Sequence, residues 1–326
     1  MPGRSGYAGG GNRWLTNMSV AQVPETGYIA HTVLPMVEVP DEDFEYLEFD
    51  ANSFYTPEGA EGTDTGITAP GASTPIVDWS TTDRTGLCVE RKFKSGAPRR
   101  SQRSAKVKGY DAMMVAAKAA RMAVLQYRER TAAAALFNGT TFASYTAALT
   151  STDRWDDAAS NPFSQRTTAM RSIRTAAAFN FPGSSLNLLV GVEVDDAIRD
   201  NDTLVERIKY TANLGPDGSV TTADIAAYFQ VDNYIVGAAS YNSARNAFAG
   251  THTGAAIWGK SALFFIGTSA PARESAALGY TFYSQKFTMD NWYDQDRDQD
   301  WARAREIEVP KIVNARAGYY FTTVVS

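Results

Sequence analysis

The hydrophobic and polar positions fall into stretches with different periods. From Gly109 to Asn138 the chain reads GYDAMMVAAKAARMAVLQYRERTAAAALFN, with no interior Gly or Pro and few β-branched residues. Met113, Ala117, Ala120, Val124, Tyr127 and Thr131 recur at steps of three and four, while Lys118, Arg121, Arg128 and Glu129 fall elsewhere around the wheel. The pattern predicts one long helix of roughly 45 Å at ~1.5 Å per residue. Asn138-Gly139 is its expected stop, since both residues tolerate a left-handed close.

Before this helix the periodicity is that of strands. FEYLEFDANSFY is rich in aromatics, and in LCVERKFK the residues Leu87, Val89, Arg91 and Phe93 alternate with Cys88, Glu90, Lys92 and Lys94. The two runs, Phe44–Tyr55 and Leu87–Lys94, are expected to pair antiparallel across the Gly/Thr/Pro-rich link PEGAEGTDTGITAPGASTP. A connection of that length is unusual within a compact domain. Ahead of it, residues 1–40 read as an extended arm. Pro24, Pro35 and Pro40 interrupt its apolar residues and disfavour both a long helix and a central strand.

After the long helix, FSQRTTAMRSIRTAAAF (163–179) predicts a second helix that ends at Phe181-Pro182-Gly183. Residues 183–270 alternate strand and helix. LNLLVGV, NYIVGAASYN and AAIWGKSALFFIG read as strands, and VDDAIRD, TLVERIKY and ADIAAYFQ as helices, the last capped by Thr222 with Asp224 in its first turn. Residues 271–326 return to strands, LGYTFYSQKF and then two runs around 314–318. The expectation is that both runs pack on the long helix and close a domain built from 95–182 and 271–326, with 183–270 inserted in it.

Composition narrows the function classes. The 326 residues carry a formal net charge of −5, which does not mark the whole chain as a nucleic-acid binder. A single cysteine, Cys88, excludes an intrachain disulfide, and no apolar run approaches the ~20 residues needed to cross a bilayer. The start of the chain lacks the apolar centre of a signal peptide. His31 and His252, the only histidines, with Cys88 give no zinc set. In WYDQDRDQDW the residues Asp294, Asp296 and Asp298 match the opening spacing of a calcium loop, but Gln299 and Arg305 stand where Gly and Glu are needed. An acidic solvated or intersubunit loop is the better reading. No phosphate loop, dinucleotide fingerprint or nucleophile elbow occurs, so no enzymatic, cofactor or metal site is expected.

Charge is segregated along the chain. An acidic run from Asp41 to Asp64 includes Glu45, Glu48, Glu58 and Glu61, with Phe54 and Tyr55 among them. A basic run from Arg91 to Lys108 includes Lys92, Arg99, Arg100 and Arg103. Two solvated faces would explain this. So would contact between subunits, the acidic excursion of one copy lying over the basic base of the next. Some of the cations could instead face a polyanion. These twelve residues, Asp64 included, are the candidate intersubunit contacts.

The order of elements resembles the major capsid proteins of tailed double-stranded DNA phages, which have the Hong Kong 97 phage capsid fold. Tyr28-Ile29-Ala30 through Val33-Leu34-Pro35-Met36-Val37-Glu38-Val39-Pro40 is similar to the arm motif of one branch of that family. TLVERIKYT, the helix around 223–230, Tyr234–Gly237 and Ile257-Trp258-Gly259-Lys260 resemble its inserted axial domain, and Ala317-Gly318-Tyr319-Tyr320-Phe321 its C-terminal strand. The resemblance implies an α+β fold with an N-arm (1–40), an E-loop hairpin (41–94), a peripheral P-domain (95–182) with its spine helix at 109–138, an axial A-domain (183–270) and P-domain return strands (271–326). It implies a non-enzymatic protein that assembles in the host cytoplasm, through hexamers and pentamers of itself, into a virion shell around double-stranded DNA. Scaffolding, portal and decoration proteins are the further partners the family admits, with no membrane. No long segment precedes the arm, which leaves room for a separate scaffold. Pro57–Pro75 contains no lysine, so a Lys–Asn cross-link there does not carry over. The alternative within the same fold is an encapsulin-type nanocompartment shell around protein cargo.

Overall fold

The computed structural model describes residues 27–49, 70–71, 81–177, 184–211, 220–243, 253–268 and 277–326. Two sheets organise them, and one long helix runs between the two. The elements are α1 (Ala30–Val33), β1 (Met36–Glu38), β2 (Asp43–Phe49), β3 (Thr81–Leu87), β4 (Val89–Pro98), α2 (Arg99–Val107), α3 (Ala112–Leu136) and β5 (Thr146–Ala148). After them come α4 (Pro162–Ala177), β6 (Ser184–Gly191), α5 (Val192–Asp200), α6 (Asp202–Thr211), α7 (Thr222–Phe229), β7 (Asn233–Gly237), β8 (Ser240–Asn242), β9 (Gly254–Ala256), β10 (Ala262–Thr268), β11 (Gly279–Asp294), β12 (Gln299–Ile312) and β13 (Gly318–Thr322).

The first sheet has the order β1-β11-β12-β4. Its centre is the long hairpin β11–β12, and α3 lies across one face. Along β12 the residues Ala302, Ala304, Glu306 and Glu308 all point into the buried side at alternate positions. The first half of α3 seats Ala120 and Val124 on Ala304, with Phe93 and Phe287 beside them. The second half seats Ala132, Ala133 and Leu136 in another cluster with Leu34, Leu263 and Phe265. The helix is shorter than the expected 109–138. Asp111 caps it by accepting from the Met113 and Met114 amides at 2.8 and 3.3 Å. Gly109, with φ +83°, separates it from the basic helix α2. At the far end Phe137 rather than Asn138 closes it, with its ring 5.7 Å from both Trp258 and Tyr320. Of the expected stripe, Ala120 and Val124 are buried, whereas Tyr127 is exposed and the fully buried Glu129 takes its place. The burial stripe shifts because the helix serves two cores in succession.

The expected partner of the first strand run is corrected. Asp43–Phe49 pairs with Thr81–Leu87, from Asp43↔Leu87 to Phe49↔Thr81, while Val89–Pro98 turns away and pairs with β12. Cys88 is the switch point. Its amide donates to the Glu42 carbonyl at 2.8 Å, and its buried thiol lies 3.5 Å from the Phe282 carbonyl. TTDRTG lacks apolar alternation, so the strand does not announce itself. Gly86 fixes its placement, because a Cβ there would stand 2.3 Å from Phe44 Cζ. Beyond Phe49 the expected first run leaves the described residues.

The last third of the expected extended arm lies on its own chain. Leu34 is fully buried, α1 sits against α3, and β1 pairs parallel with β11 through Met36↔Thr281 to Glu38↔Tyr283. The prolines permit this because β1 is an edge strand of three residues.

The second sheet has the order β5-β13-β10-β6-β7. Both β6 and β10 are apolar and almost wholly buried, as expected for strands covered on both faces. α4, α5, α6 and α7 pack around it. β13 belongs here, antiparallel to β10 and parallel to β5. The expectation that both C-terminal runs pack on the long helix therefore holds for β12, whereas β13 lies in the second sheet and meets only the end of the helix, through Tyr320. α4 likewise contributes Met170 and Ile173 to this core rather than to the one under α3. The cap of α7 is Thr221, not Thr222, in a reciprocal box with Asp224.

Candidate assembly surfaces

Among the described residues no group of three or more metal-ligating side chains is assembled, and no helix is long and apolar enough to cross a membrane. The aspartates of WYDQDRDQDW form the end of the β11–β12 hairpin. Asp294 accepts from Trp301 Nε1 at 3.3 Å, Asp298 from the Tyr293 hydroxyl at 2.7 Å, and Asp300 from Gln102 at 2.7 Å.

The β2–β3 ribbon has two unlike faces. On one, Phe44 and Tyr46 pack on Phe282, with ring centroids 4.5 and 5.6 Å from it. That anchors the ribbon to β11, and burial together with the nearby Glu48 raises the Tyr46 hydroxyl pKa. Further along the same face Glu48 accepts from Arg84 Nε at 2.7 Å. The other face presents Asp43, Glu45 and Asp83 to solvent with Leu47 at 59 % exposure and Leu87 at 55 %. Acid and exposed leucine side by side make a surface suited to a protein partner that is basic and apolar.

The basic surface lies on β4 and α2. Lys92 pairs with Glu90 at 2.7 Å, and Arg91 reaches the Glu308 carbonyl at 3.4 Å. Arg99 stacks over the Tyr293 ring at 4.0 Å and lies 3.8 Å from Asp298. α2 is held by Ala105, which is buried, and by Gln102, which donates to the Ala97 carbonyl and Asp300, both at 2.7 Å. Its outer side shows Arg100, Arg103, Lys106 and a Val107 that is 90 % exposed. Glu48, Lys92 and Arg99 each find their ion-pair partner on their own or an adjoining element. Among the described residues the ribbon's acid and the helix's base are thus not joined within one chain. Phe54, Tyr55, Glu58, Glu61 and Asp64 lie outside the described residues.

The residues that sequence reasoning missed are buried charges. Glu129 accepts from the Ala30 amide at 2.7 Å and from Trp258 Nε1 at 2.9 Å. Burial raises its carboxyl pKa, opposed by those donors. One turn of sheet away, Arg128 pairs with Glu306 and lies 3.3 Å from Glu308, which also contacts His31 Nε2 at 3.0 Å. The available signal was the parity of AREIEV, which puts both glutamates on the same side of the strand as Ala304.

No family model matches the chain. By sequence it is 27 % identical over 220 residues to the major capsid protein of Pseudomonas phage JBD67, a match covering 67 % of this chain and about 65 % of that protein's length. By structure it is similar to a phage-related protein from Bordetella bronchiseptica RB50, with TM-score 0.66 and 16 % identity over 94 % of this chain and 95 % of that one. It also resembles a chain of the mature capsid of bacteriophage PhiM1, with TM-score 0.55 and 12 % identity over 92 % and 88 % of the two chains. By sequence the chain is a homologue of a phage major capsid protein, and by structure it has the fold of a phage capsid chain.

Proposed function

We infer that this chain is the repeating subunit of an icosahedral phage shell, built from hexamers and pentamers around double-stranded DNA. Its role is structural rather than catalytic. The observation that carries the reading is a capsid-chain fold matched over nearly the whole length, together with a ribbon whose acidic, leucine-bearing face is left exposed by the described residues. In the terms of the Hong Kong 97 fold, the ribbon is the base of the E-loop (41–94) and α3 the spine helix of the P-domain (95–182 and 271–326). Residues 183–270 are the A-domain, whose sheet borrows β5, α4 and β13 from its neighbours in sequence. Residues 1–40 are the N-arm, docked on its own subunit from residue 27.

Assembly proceeds by the acidic ribbon face of one copy meeting the basic α2 face of the next. This contact is head-to-tail, the kind that forms a ring when its rotation divides a full turn, as a hexamer or pentamer requires. Standard stable interfaces bury ~1,600 Å², and repetition around rings accumulates avidity beyond any single contact. Electron microscopy and sedimentation of the purified protein test the reading. Closed shells of uniform diameter are expected, and small discrete oligomers under all assembly conditions would overturn it. Particles holding protein cargo and no nucleic acid when isolated from their native source would favour the nanocompartment instead.

A further inference from the structure

The charges buried beneath residues 27–39 do not balance. Glu129 and Glu306 are fully buried and Glu308 is 4 % exposed. They are met by one guanidinium, Arg128 of α3, and one imidazole, His31 of α1. Arg91 of β4 reaches only the backbone carbonyl of Glu308, and Cys88 lies close enough to Glu308 for its thiol to sense that charge. Three buried carboxyls thus share one guanidinium that bonds to their side chains, an excess of acid over base. The fit is also incomplete. Glu306 Oε1 accepts no hydrogen bond among the described residues, and Arg128 Nε, though near Glu308, is not aligned to donate to it.

A buried cluster with surplus negative charge is relieved by taking up a proton. Burial, and then the adjacent Glu308, raise the Glu306 carboxyl pKa, with Arg128 opposing. The cluster also bridges three elements. Glu306 and Glu308 belong to β12, Arg128 to α3, and His31 to the docked segment itself. The segment is held besides by β1 on β11, by the Ala30 amide on Glu129 and by Thr281 on the Leu34 and Pro35 carbonyls, none of which carries the charge imbalance of the cluster.

We propose that His31, Glu308, Arg128 and Glu306 form a proton-operated clamp that holds residues 27–39 against α3 and β12. A proton on Glu306 moves the cluster toward neutrality and tightens the clamp. The sign follows from linkage. Glu306 binds its proton more tightly in the folded chain than in the unfolded one, so its contribution is complete below the ordinary carboxylate range. That contribution is lost as pH rises through the raised folded value.

Hydrogen exchange of the full-length protein tests this, with rates corrected for intrinsic chemistry at each pH. The reporter amides are Val33, Leu34 and Val39, which bond to Ile29, Ala30 and Tyr283. Their protection is expected to fall severalfold from pH 4.5 to pH 8, as the linked proton is lost. Amides of Leu263–Ile266 in the second sheet should stay constant over that range. Glu306→Gln removes the titration while keeping the shape, and should flatten the profile at the protected level. His31→Ala removes the contact with Glu308 and should lower the protection of the reporter amides across the whole pH range. An unchanged wild-type profile would overturn the clamp, as would a pH dependence that survives in Glu306→Gln or a loss of protection shared equally by the second sheet.

Discussion

Trp258 donates its indole N–H to Glu129 Oε2 at 2.9 Å, and both side chains are fully buried. Trp258 lies between β9 and β10, on the way into the second sheet, and Glu129 belongs to the helix that crosses the first. The other carboxylate oxygen holds the Ala30 amide at 2.7 Å. One side chain therefore joins the long helix, the docked N-terminal segment and the loop before β10.

Glu129→Ala should leave two buried donors without acceptors. Each such orphan costs about 1–3 kcal/mol, so a loss of about 3 kcal/mol or more is expected in urea unfolding. Glu129→Gln keeps one acceptor oxygen and should cost less. Equal, small losses in both variants would show that the junction is not held by this carboxylate.

The ribbon's contact with a neighbouring copy can be probed by charge reversal. Glu45→Lys should weaken assembly while leaving the fold intact, since Glu45 is solvent-exposed. Combining it with Arg103→Glu should restore part of the loss, because the reversed pair again attracts. Light scattering of assembly reactions measures both. A double variant no better than the sum of the singles would place Glu45 against some other surface.

Deleting Pro57–Pro75 should leave the subunit soluble and its particles weaker, because the ribbon's base is anchored on Phe282 independently of that stretch. Thermal disruption of particles followed by microscopy reads this out, and unchanged particle stability would remove the segment from the assembly account.

The Thr221–Asp224 box predicts a pH effect with its sign. Hydrogen bonds from the Thr221 side chain and amide lower the Asp224 carboxyl pKa. A lowered folded value means the stabilisation is present above the ordinary carboxylate range and lost as pH falls through the depressed value. The effect should be small, because the group is exposed to solvent. Thr221→Ala should cost about 1 kcal/mol near neutral pH, with the difference from wild type shrinking in acid. A difference that grows in acid would contradict the box.

Gly86→Ala sets a Cβ against the Phe44 ring. Overpacking of this kind costs about 1–3 kcal/mol, and the loss should appear in exchange of the ribbon amides before those of the sheets.

Much of the architecture follows from sequence because local chemistry has few choices. The Ala-rich run from 112 to 136 reads as helix, and LNLLVG, apolar but for Asn187, and the wholly apolar ALFFIG read as strands covered on both faces. Segregated charge is equally legible, and the structure keeps it at the surface in Glu45, Arg100 and Arg103. Partner choice is another matter. Whether Leu87–Lys94 pairs with β2 or β12 depends on Cys88 turning inward, a decision made by packing against Phe282 rather than by the alternation around it. β13 joins the second sheet because β10 offers a free edge, which no local pattern records. The buried Glu129, Glu306 and Glu308 read as solvated charges in one dimension. Only the meeting of α1, α3 and β12 supplies the amide, indole, guanidinium and imidazole that let carboxylates lie beneath the surface.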